Sequence, residues 1–153
     1  MTNNLDSISK KIADKNMIDS FYTDSSLLGS KKLDIVLEER KIDLIVLAGF
    51  ILKIPKKLIN KYERKIINLH PSLLPKFGGK GMYGDKVHMA VLKSKEKFTG
   101  ITIHYVDEVY DNGEVIFQKR CNLDLNESLV SLREKIRIME YEFFPKTIEK
   151  LLN

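Results

Sequence analysis

Between Lys65 and Pro75 the chain reads KIINLHPSLLP, and no other stretch constrains the fold as strongly. A short β-branched run ends on Asn68, Leu69 and His70. Pro71 then stops the strand, because it brings no N–H to a ladder. Asn68 and His70, two positions apart, project to the same side of an extended backbone. The spacing predicts an amide beside an imidazole at a strand terminus, where open α/β sheets bind ligands. Downstream, ITIHYVDEVYDNGEVI sets Asp111 in a loop between two strand-like runs. An amide, an imidazole and a carboxylate together can stabilise an oxyanion and move a proton.

The rest of the chain alternates helical and extended patterns. Leu5, Ile8 and Ile12 are spaced for a helix, and Met17 to Tyr22 reads as a short strand. Ser30 is placed to cap a helix running to Arg40. Residues 43–50, DLIVLAGF, form a continuous apolar run, as in a strand covered on both faces. Pro55 suits the first helical position of PKKLINKYERK. The segment FGGKGMYG, 77–84, holds four glycines and must be a loop, with a helix expected from Asp85 to Lys95. ITIHYVDE and EVIFQKRC alternate with period two, and Asn112-Gly113 between them signals a turn. A last helix is predicted from Asn126 as N-cap, kinked or restarted at Pro145. Strands alternating with helices predict a mostly parallel α/β sheet in one domain, 1–153.

Composition narrows the class. A chain of 153 residues, 43% apolar and 31% charged, can bury a core and has no disordered signature. The apolar run that includes Ile45 to Leu52 is far short of a membrane span, and residues 1–20 contain no signal-peptide core. Cys121 is the single cysteine, which excludes an internal disulfide and a cysteine metal site. These features favour a cytoplasmic protein with no membrane partner. The net charge of +5 suits anionic small ligands. Lysines between Lys53 and Lys65 read as a solvated helix face or as a landing surface for a polyanionic tail. No arginine cluster or aromatic-interleaved basic patch supports nucleic-acid binding.

Of the three histidines, His70 stands best for catalysis. His104, inside an alternating strand, either supports the site or packs, and His88 in a helical stretch reads as structural. None makes an H-x-x-x-H spacing, so no metal is expected. Asp111, just before Asn112-Gly113, taken in isolation reads as a turn-forming aspartate. GGKGMYGDK lacks the G-x-x-x-x-G-K-[ST] pattern and reads as a lid or substrate loop, not a nucleotide motif.

VLAGF (46–50), INLHPSLLP (67–75) and HYVDEVYDNGEVI (104–116) together resemble the phosphoribosylglycinamide formyltransferases, a folate-dependent family of purine synthesis. The likeness runs from about residue 10 to the C-terminus. Related formyltransferases share N-x-H with a later aspartate. Formyltetrahydrofolate hydrolases are similar to H-H-S-F-L-P at this point and methionyl-tRNA enzymes to H-A-S-L-L-P. The resemblance implies a Rossmann-like α/β sheet of the formyltransferase type, with Asn68, His70 and Asp111 as the catalytic trio. It implies folate contacts from Ile51, Leu52, Lys53, Ile54 and Asn68 and from the loop Asp107, Glu108, Val109, Tyr110 and Asp111. Arg137 and Glu140 match positions that contact the glycinamide ribonucleotide. Many relatives carry arginine where this chain has Leu52, so no guanidinium contact to folate is expected there. The implied reaction is formyl transfer from 10-formyltetrahydrofolate, a consumed cosubstrate, to the amine of 5-phosphoribosylglycinamide, with Asp111 raising the pKa of His70. The alternatives are another folate formyltransferase, a formyltetrahydrofolate hydrolase, or a non-catalytic folate-binding module.

The family opens with a strand, a G-N-G-S-N-type phosphate loop, a helix and a second strand, and MTNNLDSISKK matches none of these. The expected missing piece is about 35 to 40 residues, a βαβ-type unit. An N-terminally truncated domain of this kind is expected to leave the edge of 43–50 unpaired. Alone, such a chain would self-associate or fold poorly and be inactive, or accept a complementing N-terminal fragment.

Overall fold

The computed structural model describes residues 1–2, 6–24 and 26–153, which divide into two compact units, Met1–Ile42 and Asp43–Asn153. In the first unit, α1 spans Ile8–Lys15 and α2 spans Lys31–Glu39. Ser7 and Ser30 cap them, each hydroxyl accepting from a backbone N–H three residues on. Leu33 and Leu37 are the buried positions of α2, as the one-turn spacing requires. Leu5 lies outside the described residues. The strand expected over Met17–Tyr22 reduces to one parallel bridge between Thr2 and Tyr22.

The second unit carries β1 (Ile45–Ala48), α3 (Lys56–Lys61), β2 (Ile66–His70), α4 (Asp85–Lys93), β3 (Phe98–Tyr105), β4 (Val115–Asn122) and α5 (Leu129–Leu152). The sheet order is β1-β2-β3-β4. The α/β expectation holds, but this sheet is mixed rather than mostly parallel: β1–β2 is parallel, while β2–β3 and β3–β4 are antiparallel. Alternation of apolar residues reports burial of a face, not strand direction, so the sense of pairing was not readable from it. β1 is also an end strand, and Val46 is 38% exposed, so the run 43–50 is not covered on both faces.

β3 shows how the sheet separates core from chemistry. Ile101 and Ile103 are fully buried. Ile101 packs with Val91 of α4 and with Leu132, Ile136 and Met139 of α5, and Ile103 with Ile67 and Phe144. Each such side chain, fully buried, is worth roughly 1.5–3 kcal/mol. The alternate residues Thr102 and His104 therefore point to the other face. The register sets His70 opposite Thr102 and Asn68 opposite His104, so all four share that face.

The expectations for two helix caps and for Pro145 differ from the structure. Pro55 is the N-cap of α3 rather than its first helical residue. Ser128, not Asn126, caps α5, its hydroxyl accepting from the Ser131 N–H at 3.1 Å. Pro145 neither restarts nor ends α5. Phe144 and Thr147 beside it are buried, and the Thr147 hydroxyl donates to the Phe143 carbonyl at 2.9 Å, so packing holds the turn that proline weakens.

Candidate active site

β2 ends on the two side chains that its sequence singled out, and a loop brings the third to them. Asp111 sits in the connection between β3 and β4 with φ +55°, a left-handed conformation that aspartate tolerates better than most residues. Gly113 makes that connection possible, because a Cβ there would lie 1.8 Å from the Tyr105 carbonyl oxygen. Asp111 Oδ2 lies 3.5 Å from His70 Nδ1, and Asp111 Oδ1 accepts from Asn68 Nδ2 at 3.4 Å. The Gly79 N–H donates to Asp111 Oδ2 at 2.8 Å, and His70 Nε2 lies 2.8 Å from the Phe77 carbonyl oxygen.

His104 completes the group from β3. Its Nδ1–H donates to the Tyr105 carbonyl at 2.8 Å, so Nε2 holds a lone pair and accepts from Asn68 Nδ2 at 3.2 Å. A bulge helps aim it: Ile103 faces Phe117 but His104 faces Val115, leaving Ile116 as an extra residue.

Burial governs the electrostatics of His70. It pulls the imidazole below its ordinary pKa, overriding the upward influence of Asp111 and of the Phe77 carbonyl. This corrects the expectation that Asp111 would set a raised value. Burial pushes Asp111 upward, yet the His104 and His70 rings and the Gly79 amide together hold it below the usual carboxylate range. At neutral pH the pair is thus a neutral imidazole beside a carboxylate.

The turn after His70 is fixed from beneath by β3 and β4. The Thr102 hydroxyl donates to the Ser72 carbonyl at 2.6 Å and accepts from the Leu74 N–H at 3.0 Å. Gln118 Nε2 donates to both Thr102 Oγ1 and the Leu74 carbonyl, at 2.9 and 3.0 Å. The Leu74–Pro75 peptide is cis.

A cleft of about 610 Å³ opens over these groups, bounded by Gly49–Leu52, Asn68–Pro71, Gly79–Gly84, Tyr110, Asp111 and Glu140. A smaller hollow of about 60 Å³ lies between Leu52–Ile54 and Asp107–Asp111, with Asn68 and His104 at its base. Each residue expected to touch folate lines one or both: Ile51 only the larger, Lys53, Ile54 and Asp107–Val109 only the smaller. Lys56 pairs with Glu108 at 2.7 Å and Lys53 lies 6.0 Å over the Tyr110 ring, tying the two walls of the hollow together. Glu140 reaches the cleft, and burial pushes its carboxyl up to about 6. Arg137 does not line it; its guanidinium is exposed and paired with Glu134 at 2.8 Å.

The cleft also takes residues that the sequence left aside. His88, read as structural, lines it, and burial lowers its pKa. The backbone of Phe77 and Gly79 was missed altogether, though four glycines in eight residues marked the segment. Among the described residues no group of three or more His, Cys, Asp or Glu side chains is placed to hold a metal ion. No described helix is long and apolar enough to cross a membrane.

Residues 3–148 match the formyl transferase family model. The chain belongs to the formyl transferase family. It is 43% identical over 115 residues to the chloroplastic phosphoribosylglycinamide formyltransferase of Vigna unguiculata, covering 75% of this chain and 37% of that one. Identity to the Bacillus subtilis phosphoribosylglycinamide formyltransferase is 39% over 112 residues, 73% of this chain and 55% of the relative. The phosphoribosylglycinamide formyltransferase structure from Streptococcus pneumoniae superposes with a TM-score of 0.86 at 28% identity, covering 99% of this chain and 84% of that one. The fold is the open, Rossmann-like α/β sheet of these transformylases. The chain spans between 37% and 55% of the length of these two curated relatives.

Proposed function

We propose that this chain carries the catalytic residues for formyl transfer from 10-formyltetrahydrofolate to the amine of 5-phosphoribosylglycinamide, a step of purine synthesis. The observation that carries the reading is the meeting of Asn68, His70 and Asp111 at the floor of one cleft. Its volume is within the roughly 300–1,000 Å³ usual for small-molecule sites.

The amine attacks the formyl carbon and the carbonyl electrons move to oxygen. The Asn68 amide is the first donor to that oxyanion; its contact to Asp111 is long at 3.4 Å and is the one a substrate oxygen displaces. The buried imidazole of His70 is neutral before substrate arrives and becomes imidazolium as a proton leaves the attacking nitrogen. Asp111 stabilises that charge. The proton then passes, through water, to the departing folate nitrogen as the carbon–nitrogen bond breaks. The loop Asp107–Asp111 frames the pterin ring, and Glu140 faces the ribonucleotide's amine. A complementing N-terminal unit is the proposed partner for the phosphate.

The test follows formylation of the amine acceptor by mass spectrometry, on this chain and on the chain supplied with an N-terminal phosphate-loop unit. Transfer that is abolished by His70→Ala and by Asp111→Asn supports the proposal. Formate released without any acceptor would point to a hydrolase instead. A folate analogue that binds while neither preparation formylates the acceptor would reduce the chain to a folate-binding module.

A further inference from the structure

The glycine-rich segment 77–84 is a sequence motif that the proposed transfer leaves without a task. Two of its backbone groups reach the catalytic pair: the Phe77 carbonyl oxygen meets His70 Nε2 and the Gly79 N–H meets Asp111 Oδ2, both at 2.8 Å. A carbonyl oxygen only accepts, so the first contact requires a proton on Nε2. In a neutral imidazole Nδ1 then carries the lone pair. Nδ1 lies 3.5 Å from Asp111, too far for a good hydrogen bond, so it is not locked to the carboxylate.

We infer that Phe77–Gly79 is a backbone clamp that commits His70 Nε2–H to the Phe77 carbonyl, anchors Asp111 through the Gly79 amide, and leaves Nδ1 as the imidazole edge that exchanges the proton. The chemistry of this inference rests on the formyl-transfer reading; its geometry does not. As the new carbon–nitrogen bond forms, Nδ1 takes the proton from the attacking nitrogen and the ring becomes imidazolium, Nε2–H still on Phe77. The same proton returns to the leaving nitrogen when its bond to carbon breaks and the carbonyl reforms.

The backbone is shaped for this. Phe77 has φ +59° and Gly79 φ +100°, left-handed conformations that turn successive peptide groups toward His70 and Asp111. Gly78 between them is held by close approach. A Cβ there would lie 2.5 Å from Leu74 Cδ2 and 3.1 Å from Asp111 Cβ. Leu74 yields little, because it is 9% exposed and its own backbone is tied to Thr102 and Gln118. Any side chain at 78 therefore acts as a wedge between the clamp and the carboxylate.

The experiment is nitrogen-15 NMR of histidine-labelled chain near neutral pH without ligand, His70 being assigned by loss of its signals in His70→Gln. The Nε2–H tautomer is expected, and a dominant Nδ1–H tautomer overturns the clamp. Gly78→Ala should move the His70 signals toward the tautomer average while the remaining spectrum stays dispersed. In the transfer assay it should lower kcat by about 10-fold or more with KM for the formyl donor within about 2-fold, the pattern of a transition-state defect. An unchanged His70 tautomer in folded Gly78→Ala also overturns it; should that variant not fold, the tautomer of the unsubstituted chain decides. The Nε2–H tautomer in a chain that transfers no formyl group would sink the functional reading and leave the clamp standing.

Discussion

His104 Nε2 accepts a hydrogen bond from Asn68 Nδ2 at 3.2 Å, across the pairing of β3 with β2. Because His104 spends its Nδ1–H on the Tyr105 carbonyl, it presents a fixed lone pair to the amide. The ring thereby orients the donor of the proposed oxyanion site without needing to touch the substrate. His104→Phe keeps the ring's bulk but removes the acceptor. It is expected to lower kcat by roughly 10- to 100-fold, short of the larger losses seen when an oxyanion donor itself is deleted. KM for the formyl donor should change little. Steady-state kinetics checks this, and a kcat equal to that of the unsubstituted protein would make His104 a packing residue only.

Glu140 ties stability to pH. Burial raises its carboxyl to about 6 from the ordinary 4.5, so the folded state binds its proton more tightly than the unfolded state. The stability this gives is fully present below pH 4.5 and is lost as pH rises through 6. Glu140→Gln mimics the protonated form and should stabilise the protein by about 2 kcal/mol above pH 7 and by almost nothing near pH 4. The same variant should bind glycinamide ribonucleotide more weakly if the proposed role holds, since the carboxylate assigned to the amine is gone. Urea unfolding at the two pH values reads the difference. A gain of equal size at both would show that the burial of the charge is not what Glu140 costs the fold.

Where the sequence was legible, a side chain carried the signal. Ser30 capped α2, the alternation of β3 and β4 located two strands, and Asn68-x-His70 named two of the three catalytic candidates two residues apart. Asp111 was named from the residues as a third member, but in isolation its place before Asn112-Gly113 favoured a plain turn, and the resemblance is what tipped the reading to chemistry. The illegible parts lack such a mark. That β1 stands at the end of the sheet was expected from the family resemblance and not from DLIVLAGF itself, because the pairing and burial of a strand depend on neighbours brought from elsewhere in the chain. Asn126 and Ser128 are both competent caps, and the apolar spacing that follows suits either. The Phe77 carbonyl and the Gly79 amide belong to the main chain, so no residue type announces them. Arg137 sits one helical turn before Glu140, yet the turn that brings the carboxylate to the cleft leaves the guanidinium on the exposed face.

Gly113 is expected to be intolerant of any side chain. A Cβ there would collide with the Tyr105 carbonyl, which must approach to receive the turn that bears Asp111. Gly113→Ala should cost about 1–3 kcal/mol of stability, the usual range for overpacking, and should weaken folate-analogue binding by displacing Asp107–Asp111. Thermal unfolding and calorimetry measure the two effects. A stable variant with unaltered folate affinity would mean that the connection can shift without disturbing the hollow.

Thr102 is buried beneath the candidate active site, and its hydroxyl serves three partners: the Ser72 carbonyl, the Leu74 N–H and Gln118 Nε2. Thr102→Val preserves shape and removes all three bonds, leaving backbone groups of the turn after His70 buried without partners. Each unsatisfied group costs about 1–3 kcal/mol, so a loss of several kcal/mol is expected from a near-isosteric change. The damage should also reach catalysis. That turn leads to Phe77 and Gly79, and loosening it releases His70 and Asp111 from their fixed geometry. Thr102→Ser keeps the oxygen and should retain most of both stability and kcat, at the cost of one methyl group. Denaturant unfolding and kinetics on the pair decide between the two explanations of Thr102. If serine were as damaging as valine, the methyl group's packing and not the hydroxyl's hydrogen bonds would be what holds the turn.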